Sequence, residues 1–432
     1  MHGYGLGFAE NKAVFVPFTV PGDIVDVNIR LEKKDIIFGS AVKILKSSED
    51  RIEPDCSAFG GDHACGGCDW LMTSYQTQLN WKTDLIKQTF HPLNLNDKVK
   101  STVSSPVPHY YRNKSFLPAG QNEDGLYFGI YEKYSHNVIP HKKCLLQPAV
   151  MDEILAEITL FAHQVKLEPY NEKTHNGILR HVGIRINKEQ DEILLVLVTK
   201  GSKFPFTKQF IRTMTVRFPQ IKGIIQNINP SIGNVILGEK DKILFGSPFL
   251  NDVSNGVKIR LHYKSFLQIN SATTEIMYSY LMDNLTADDV VLDAFCGIGS
   301  IGLYLAAKVK QVHGIEEVAE AISDAEYNQE LNKIGNASFH LGKVEDLLPA
   351  LIQKHKFSAV VLDPPRKGVD TDSLLSVAEH KIPQILYVSC NPMTLVRDIK
   401  ILIEKGYKVK EITPFDMFPQ TWHIETVVKL YL

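Results

Sequence analysis

The chain has 432 residues, with 47 Lys and Arg against 49 Asp and Glu, so its formal net charge is −2. That length exceeds what one hydrophobic core sustains, and two to four domains are expected. A hydrophobic content of 44% with 22% charged residues is ordinary globular composition. No apolar run reaches membrane-spanning length and no secretory signal opens the chain, so a cytoplasmic monomer without a membrane partner is expected. Charge is unevenly spread: residues 101–260 carry 20 basic and 14 acidic groups, residues 1–100 carry 11 and 13. A cationic middle suits a polyanion laid along it.

In chain order, residues 1–47 read as strands and turns. Val14–Pro17 and Ile24–Ile29 flank the turn signal Pro21-Gly22-Asp23, and Gly39–Leu45 follows as a third strand. This is the pattern of a small β-barrel of the OB kind. Cys56, Cys65 and Cys68 follow, then a helical stretch over 71–90. From 100 to 265 strands mix with a helix, Met151 to Val165, and Ile193–Val198 reads as a buried strand. Tyr110-Tyr111-Arg112-Asn113-Lys114 and Tyr131-Glu132-Lys133-Tyr134 interleave aromatic and basic groups, as single-stranded RNA binding requires, or as a half-buried strand would. Beyond about 266, strands alternate with helices, the signature of a parallel doubly wound sheet. The boundaries expected are 1–48, 49–95, 96–265 and 266–432.

Val290 to Gly302 reads as strand, glycine turn and helix, with Gly297, Gly299 and Gly302 on the G-x-G-x-x-G spacing. Such a turn lets backbone approach a nucleotide, and it suits either a dinucleotide or S-adenosylmethionine. Glu316 ends the next strand, where an acid holds ribose hydroxyls. Asp293 and the later Asp363-Pro364-Pro365 tilt the choice toward S-adenosylmethionine. Asp346 could accept from an adenine amino group or simply begin a helix, and Gln268 could hold the amino-acid end of the cofactor. Ile385–Val388 is an apolar run closed by Ser389-Cys390-Asn391-Pro392. Ligands collect beyond the carboxyl ends of parallel strands, so Cys390 stands where a nucleophile belongs, although free cysteines are often merely buried.

Four of the six cysteines, Cys56, Cys65, Cys68 and Cys144, precede residue 150. Without a secretory signal, metal binding is favoured over disulfides. Four thiolates suit a tetrahedral zinc ion or a [4Fe–4S] cluster. In the stretch Gly60-Gly61-Asp62-His63 between Cys56 and Cys65, His63 could compete with Cys56 as a ligand.

Taken together, Phe266–Asn270, Asp293–Gly299, Asp363–Gly368, Ser389–Pro392 and His423–Thr426 resemble, in order, the motifs of the RNA (uracil-C5)-methyltransferase family. Upstream, the first strands look like a TRAM domain, and Cys65-Gly66-Gly67-Cys68 looks like the family's iron–sulfur segment. The resemblance implies an α/β chain with a C-terminal Rossmann-like methyltransferase domain, an N-terminal OB-like barrel and a mixed α+β middle domain. It implies S-adenosylmethionine bound by Gln268, Phe295, Gly297, Ser300, Glu316, Asp346 and Asp363. A [4Fe–4S] cluster on Cys56, Cys65, Cys68 and Cys144 follows from it, with zinc the lesser alternative. It also implies Cys390 as nucleophile toward uracil C6 and Glu425 as the base that removes the C5 proton, with His423 structural. The substrate expected is RNA, 23S ribosomal RNA ahead of transfer RNA. The rivals are a nicotinamide or flavin oxidoreductase on the same glycine turn, and an iron–sulfur RNA-binding protein with an idle catalytic domain.

Overall fold

Parallel strands buried on both faces need unbroken runs of β-branched and aliphatic residues, and the C-terminal part of this chain supplies them. In the computed structural model, which describes residues 3–61 and 63–432, the chain divides into two compact units. The first comprises residues up to 77, 107–250 and 420–422; the second comprises 78–106, 251–419 and 423–432.

The first unit opens with β1 (Tyr4–Ala9), β2 (Lys12–Pro17), β3 (Ile24–Glu32) and β4 (Ile36–Lys46), a four-stranded sheet in the order β1-β2-β4-β3. Its core is small: Val14, Val16 and Ile37 are buried, with Val27 and Ala41 packed against them. A larger sheet follows, built from β5 (Lys114–Asn122), β6 (Gly125–Tyr131), β7 (Val138–Pro140), β8 (Leu179–Ile186), β9 (Ile193–Thr199), β10 (Ile221–Ile228) and β11 (Lys240–Gly246). Its order is β11-β10-β9-β8-β5-β6-β7, parallel only between β9 and β10. Every residue of β8 and β9 is buried. The helices of this unit, Ala149–Val165 and Thr207–Arg217, cover the sheet with Met151, Ile154, Ile158, Phe161, Phe210 and Met214.

The second unit takes up the chain again within β12 (Phe249–Ser254), which pairs with β13 (Val257–His262), and then carries seven further strands. These are β14 (Val290–Ala294), β15 (Gln311–Glu316), β16 (Ala337–Leu341), β17 (Ala359–Leu362), β18 (Gln384–Ser389), β19 (Lys408–Phe415) and β20 (Glu425–Tyr431). The order β16-β15-β14-β17-β18-β20-β19 is parallel from β16 to β18, while β20 runs antiparallel to both of its neighbours. The order reverses between β14 and β17. In an open α/β sheet that switch point opens the ligand crevice at the carboxyl edge.

The expected barrel is thus a four-stranded sheet, and the unit boundaries cut the chain elsewhere than the sequence pattern does. The helix Tyr75–Phe90 is an example: its Ile86 and Phe90, with Val99, are buried in the same core as Leu292, Val360 and Tyr387. Periodicity marks that helix as amphipathic but cannot say which core its apolar face enters. Lys82 on the same helix is wholly buried and ion-paired to the buried Asp416 at 2.5 Å. No helix among the described residues is long and apolar enough to cross a membrane.

Candidate active site and cysteine pocket

The glycine turn after β14 is built by tight hydrogen bonding. Phe295 and Cys296 both donate their N–H to Ile315 O at 3.0 Å, pinning the turn to β15. Phe295 takes φ +71°, a left-handed conformation rarely adopted by an aromatic residue. Gly302 donates its N–H to Asp293 Oδ2 at 2.8 Å, and a Cβ on Gly302 would lie 2.9 Å from that oxygen. A Cβ on Gly299, at φ +78°, would meet the Phe339 ring at 2.8 Å. Gly297 differs, for a Cβ there would point into open space. A side chain at the first glycine would thus meet no neighbour, whereas the other two admit close packing.

Glu316, at the end of β15, accepts from Gly297 N–H at 3.1 Å and Val318 N–H at 2.9 Å, so its carboxylate braces the turn. Ser300 Oγ lies 3.0 Å from the Tyr278 hydroxyl. Gln268 is buried just ahead of the helix Ser271–Asp283, whose N-cap Asn270 accepts from Thr273 N–H. Asp346 is exposed in the first turn of the helix Val344–Lys354, the helix-start position weighed from sequence.

Three carboxyl groups in this region are raised by burial. Asp293 is pushed up to about 7 by desolvation and then by Asp363, and its Oδ1 is buried without a hydrogen-bond partner. Burial likewise pushes Asp363 up to about 7. Glu425, 2% exposed, lies well above the usual carboxyl range through burial and Asp363, opposed by Arg366. Such a group of desolvated acids is suited to a cationic ligand.

Sheet register brings the two proposed reacting groups together. Ser389 on β18 pairs with Thr426 on antiparallel β20, so Cys390 and Glu425 follow at the same edge of the sheet, where Glu425 bears on the Cys390 thiol. Leu362 on β17 pairs with Tyr387, which sets Asp363 at the same edge. Asn391 caps the helix Pro392–Glu404 by accepting from Met393 N–H, and Pro392 fills its first turn. The same Asn391 donates to Arg366 O at 2.9 Å, lacing the Asp363–Gly368 loop to the Cys390 turn. Burial, then Glu425, pushes the Cys390 thiol up to about 11, and the charge of Arg366 opposes the rise. Sequence reasoning did not single out Arg366, whose charge bears on both Cys390 and Glu425. Its position three residues after Asp363 was visible, but nothing in the sequence says it folds back on the Cys390 turn.

In the first unit, Cys56, Cys65, Cys68 and Cys144 are all free thiols, and all four line one pocket with Leu71, Ile130 and His141. Burial pushes Cys65 up to about 11 and Cys68 and Cys144 upward, and the neighbouring thiols add to the first two. Arg112 lowers all three; its Nε is buried without a hydrogen-bond partner. His63 instead lies 3.2 Å from Glu132, and its side chain is exposed, so Cys56 rather than His63 faces the pocket. Among the described residues no group of three or more His, Cys, Asp or Glu side chains is placed to hold a metal ion, so the side-chain arrangement supports neither the [4Fe–4S] cluster nor the zinc ion expected from the sequence. The Tyr110–Lys114 run is not a surface strip: Tyr111 and Asn113 are buried, and Arg112 turns to the cysteines. Tyr110 and Tyr134 are the exposed aromatics of the two runs.

Comparison with known proteins agrees with this geometry. Residues 227–431 match the family model described as tRNA (Uracil-5-)-methyltransferase. An uncharacterised RNA methyltransferase of Halalkalibacterium halodurans is 37% identical over 435 residues, covering 100% of this chain and 94% of its own length. Another, from Clostridium acetobutylicum, is 39% identical over 433 residues, covering 99% of this chain and 94% of its own. Among solved structures, the Pyrococcus abyssi tRNA (uracil-54, C5)-methyltransferase in complex with S-adenosyl-L-homocysteine is similar with a TM-score of 0.78 and 27% identity, covering 99% of this chain and 97% of that one.

Proposed function

We propose that this chain, a member of the RNA uracil-5-methyltransferase family and S-adenosylmethionine-dependent, forms 5-methyluridine in cytoplasmic RNA through a covalent Cys390 adduct. The observation that supports the mechanism is the strand register, which brings Cys390, Glu425 and Asp363 to one edge of the sheet.

Uracil C5 is a weak nucleophile, so the ring must first be activated. The Cys390 thiolate adds to C6, and the electron pair of the C5–C6 double bond moves to C5 and the adjoining carbonyl. C5 then attacks the sulfonium methyl, forming the C–CH3 bond as the S–CH3 bond breaks. Glu425 removes the C5 proton, the double bond re-forms, and the C6–S bond breaks to return the thiolate. Arg366 suits the first step because its charge favours the thiolate that burial disfavours. The base must be ionised to act, and the positive sulfonium beside Asp363 and Asp293 would draw these acids toward their charged forms. Gln268, Phe295, Gly297, Ser300, Glu316 and Asp346 are the remaining cofactor residues of this reading, with the open face of Gly297 receiving the donor. The target base must leave its helix or loop to reach Cys390, costing about a few kcal/mol.

Cys56, Cys65, Cys68 and Cys144 would hold a [4Fe–4S] cluster, which supplies four positive iron centres to ionise thiols that burial otherwise keeps neutral. What supports this is that four free thiols line one pocket. Anaerobically purified protein should carry about four irons per chain, the stoichiometry of such a cluster, and Cys68→Ser should lose them. Iron-free wild-type protein after anaerobic reconstitution overturns the cluster.

Ribosomal RNA is the substrate proposed, with the TRAM-like sheet and the middle sheet binding it together. Transfer RNA is the second reading, favoured by the name of the Pyrococcus enzyme. That enzyme matches over 99% of this chain, so possession of the N-terminal segments does not separate the two substrates. Incubation with tritiated methyl donor and purified ribosomal or transfer RNA, followed by nucleoside analysis, tests both. Label in 5-methyluridine of ribosomal RNA alone supports the first reading; label in transfer RNA alone supports the second. No labelled 5-methyluridine from either refutes the activity.

A further inference from the structure

Within the second unit, the loop that leaves β17 at Asp363 runs to Asp370, the N-cap of the helix Thr371–Glu379. Side chains that the methyl transfer does not use hold this loop against the helix Pro392–Glu404. Arg397 Nη2 donates to Lys367 O at 3.1 Å and to Val369 O at 3.2 Å. Val369 donates its N–H to Asp398 Oδ2 at 3.0 Å, and the Tyr387 hydroxyl donates to the same oxygen at 2.6 Å. The other oxygen of Asp398 is ion-paired with Arg397 at 2.7 Å. One wholly buried carboxylate therefore grips the loop directly at Val369 and orients the guanidinium that grips it at Lys367 and Val369. The glycine between them shows how close the approach is. Gly368 stands at φ +78°, and a Cβ there would lie 2.6 Å from both Asp398 Oδ2 and Arg397 Nη2.

We infer that Asp398 is a positioning residue for Arg366: it holds the far half of the loop, at Val369 itself and at Lys367 through Arg397, and so fixes where the Arg366 guanidinium stands against Cys390. The inference rests on the reading of Cys390 as the nucleophile. Arg366 is exposed, and its charge bears on both Cys390 and Glu425. An exposed side chain keeps such a bearing where the backbone beneath it is fixed. Asn391 and Thr394 fix that backbone at Arg366 O, a single atom about which the loop could still turn. The Asp398 contacts, further along the same loop, remove that freedom. Hydrogen bonds to an ionised group are about twice as strong as neutral ones, which suits a carboxylate to the task.

Alkylation of Cys390 by iodoacetamide over about pH 7 to 9, resolved by peptide mass spectrometry, tests this without RNA, since the thiolate is the reacting form. Arg366→Gln should slow it about three- to tenfold by disfavouring that thiolate. Asp398→Asn keeps an oxygen for the Val369 N–H but loses the charge that holds Arg397, and should slow alkylation about two- to fivefold. In the double variant the two effects should not add: its rate stays within about twofold of Arg366→Gln, because both act through one guanidinium. A merely structural role for Asp398 predicts that they add. Methyl transfer should fall in the same order, with the KM for the donor within about twofold of wild type. Arg397→Gln replaces Asp398→Asn if the latter fails to fold. Wild-type alkylation in the folded variant, or slowing that persists in full on the Arg366→Gln background, overturns the anchor. If Arg366→Gln itself alkylates as wild type does, the inference falls with the role of Arg366. Full turnover in Cys390→Ala would instead remove the nucleophile reading.

Discussion

The acid-lined crevice and the cysteine pocket have the same electrostatic character but arise in different ways. Each gathers buried ionisable groups of one kind, and in each desolvation holds protons on them: Asp293, Asp363 and Glu425 in one, Cys65, Cys68 and Cys144 in the other. A guanidinium opposes the shift in both, Arg366 at Glu425 and Arg112 at all three thiols. The crevice, however, is set by strand ends, whose places follow from sheet order. The pocket is assembled from loops and from Cys144, which stands far along the chain. Uncompensated buried groups of like kind are costly and persist where a ligand of opposite charge completes them.

That comparison can be broken in several places. The largest expected effect is at the nucleophile: Cys390→Ala should reduce methyl transfer below detection while leaving donor binding within about twofold, measured by calorimetry. Residual turnover would remove the thiol from the chemistry. Next, Glu425→Gln should lower turnover about 10²- to 10⁴-fold, the usual range for a general base, with covalent RNA complex building up on denaturing gels. Prompt release of methylated RNA would clear Glu425 of the task.

The buried pair Lys82–Asp416 is the internal control, since here a buried acid has its countercharge. Lys82→Ala should cost about 3–5 kcal/mol in denaturant unfolding, because Asp416 is left buried and unpaired. A loss below about 1 kcal/mol would show that this core tolerates a lone carboxylate, and the argument from the three acids would weaken with it.

The smallest effect is one of pH. Asp293 and Asp363 have folded values of about 7, above the ordinary carboxyl value of about 3.9. A raised folded value means that the native state binds more protons than the unfolded chain, so the free protein should lose stability as pH rises from about 4 to about 7. A bound sulfonium favours the ionised acids, so donor affinity should rise over about pH 5 to 8 with release of protons. S-adenosylhomocysteine, which lacks the sulfonium charge, should show a weaker trend. Calorimetry in buffers of different protonation heat reads this directly, and donor affinity that falls with pH contradicts it.

What could be read beforehand follows the same division. The strand Ala359–Leu362 and the Ser389–Pro392 turn stand where periodicity and turn chemistry placed them, because a parallel strand buried on both faces leaves a continuous apolar run. Which strands are neighbours was not legible, so the Cys390–Glu425 juxtaposition came only with the antiparallel return of β20. The cysteine count indicated a shared site, but not that the charge of Arg112 bears on its thiols while Tyr110, two residues earlier, is exposed. Nor could sequence tell that residues 78–106 pack in the unit that begins again at 251. Local pattern gives an element its face, whereas the choice of partner for that face is made by the whole chain.

The most direct measurement is mass spectrometry of protein incubated with S-adenosylmethionine and RNA carrying 5-fluorouridine at the target. Fluorine at C5 cannot leave as a proton, so the final elimination is blocked. The account predicts a methylated RNA adduct on the peptide containing Cys390, absent from Cys390→Ala. No adduct on wild type, or the same adduct on Cys390→Ala, contradicts it.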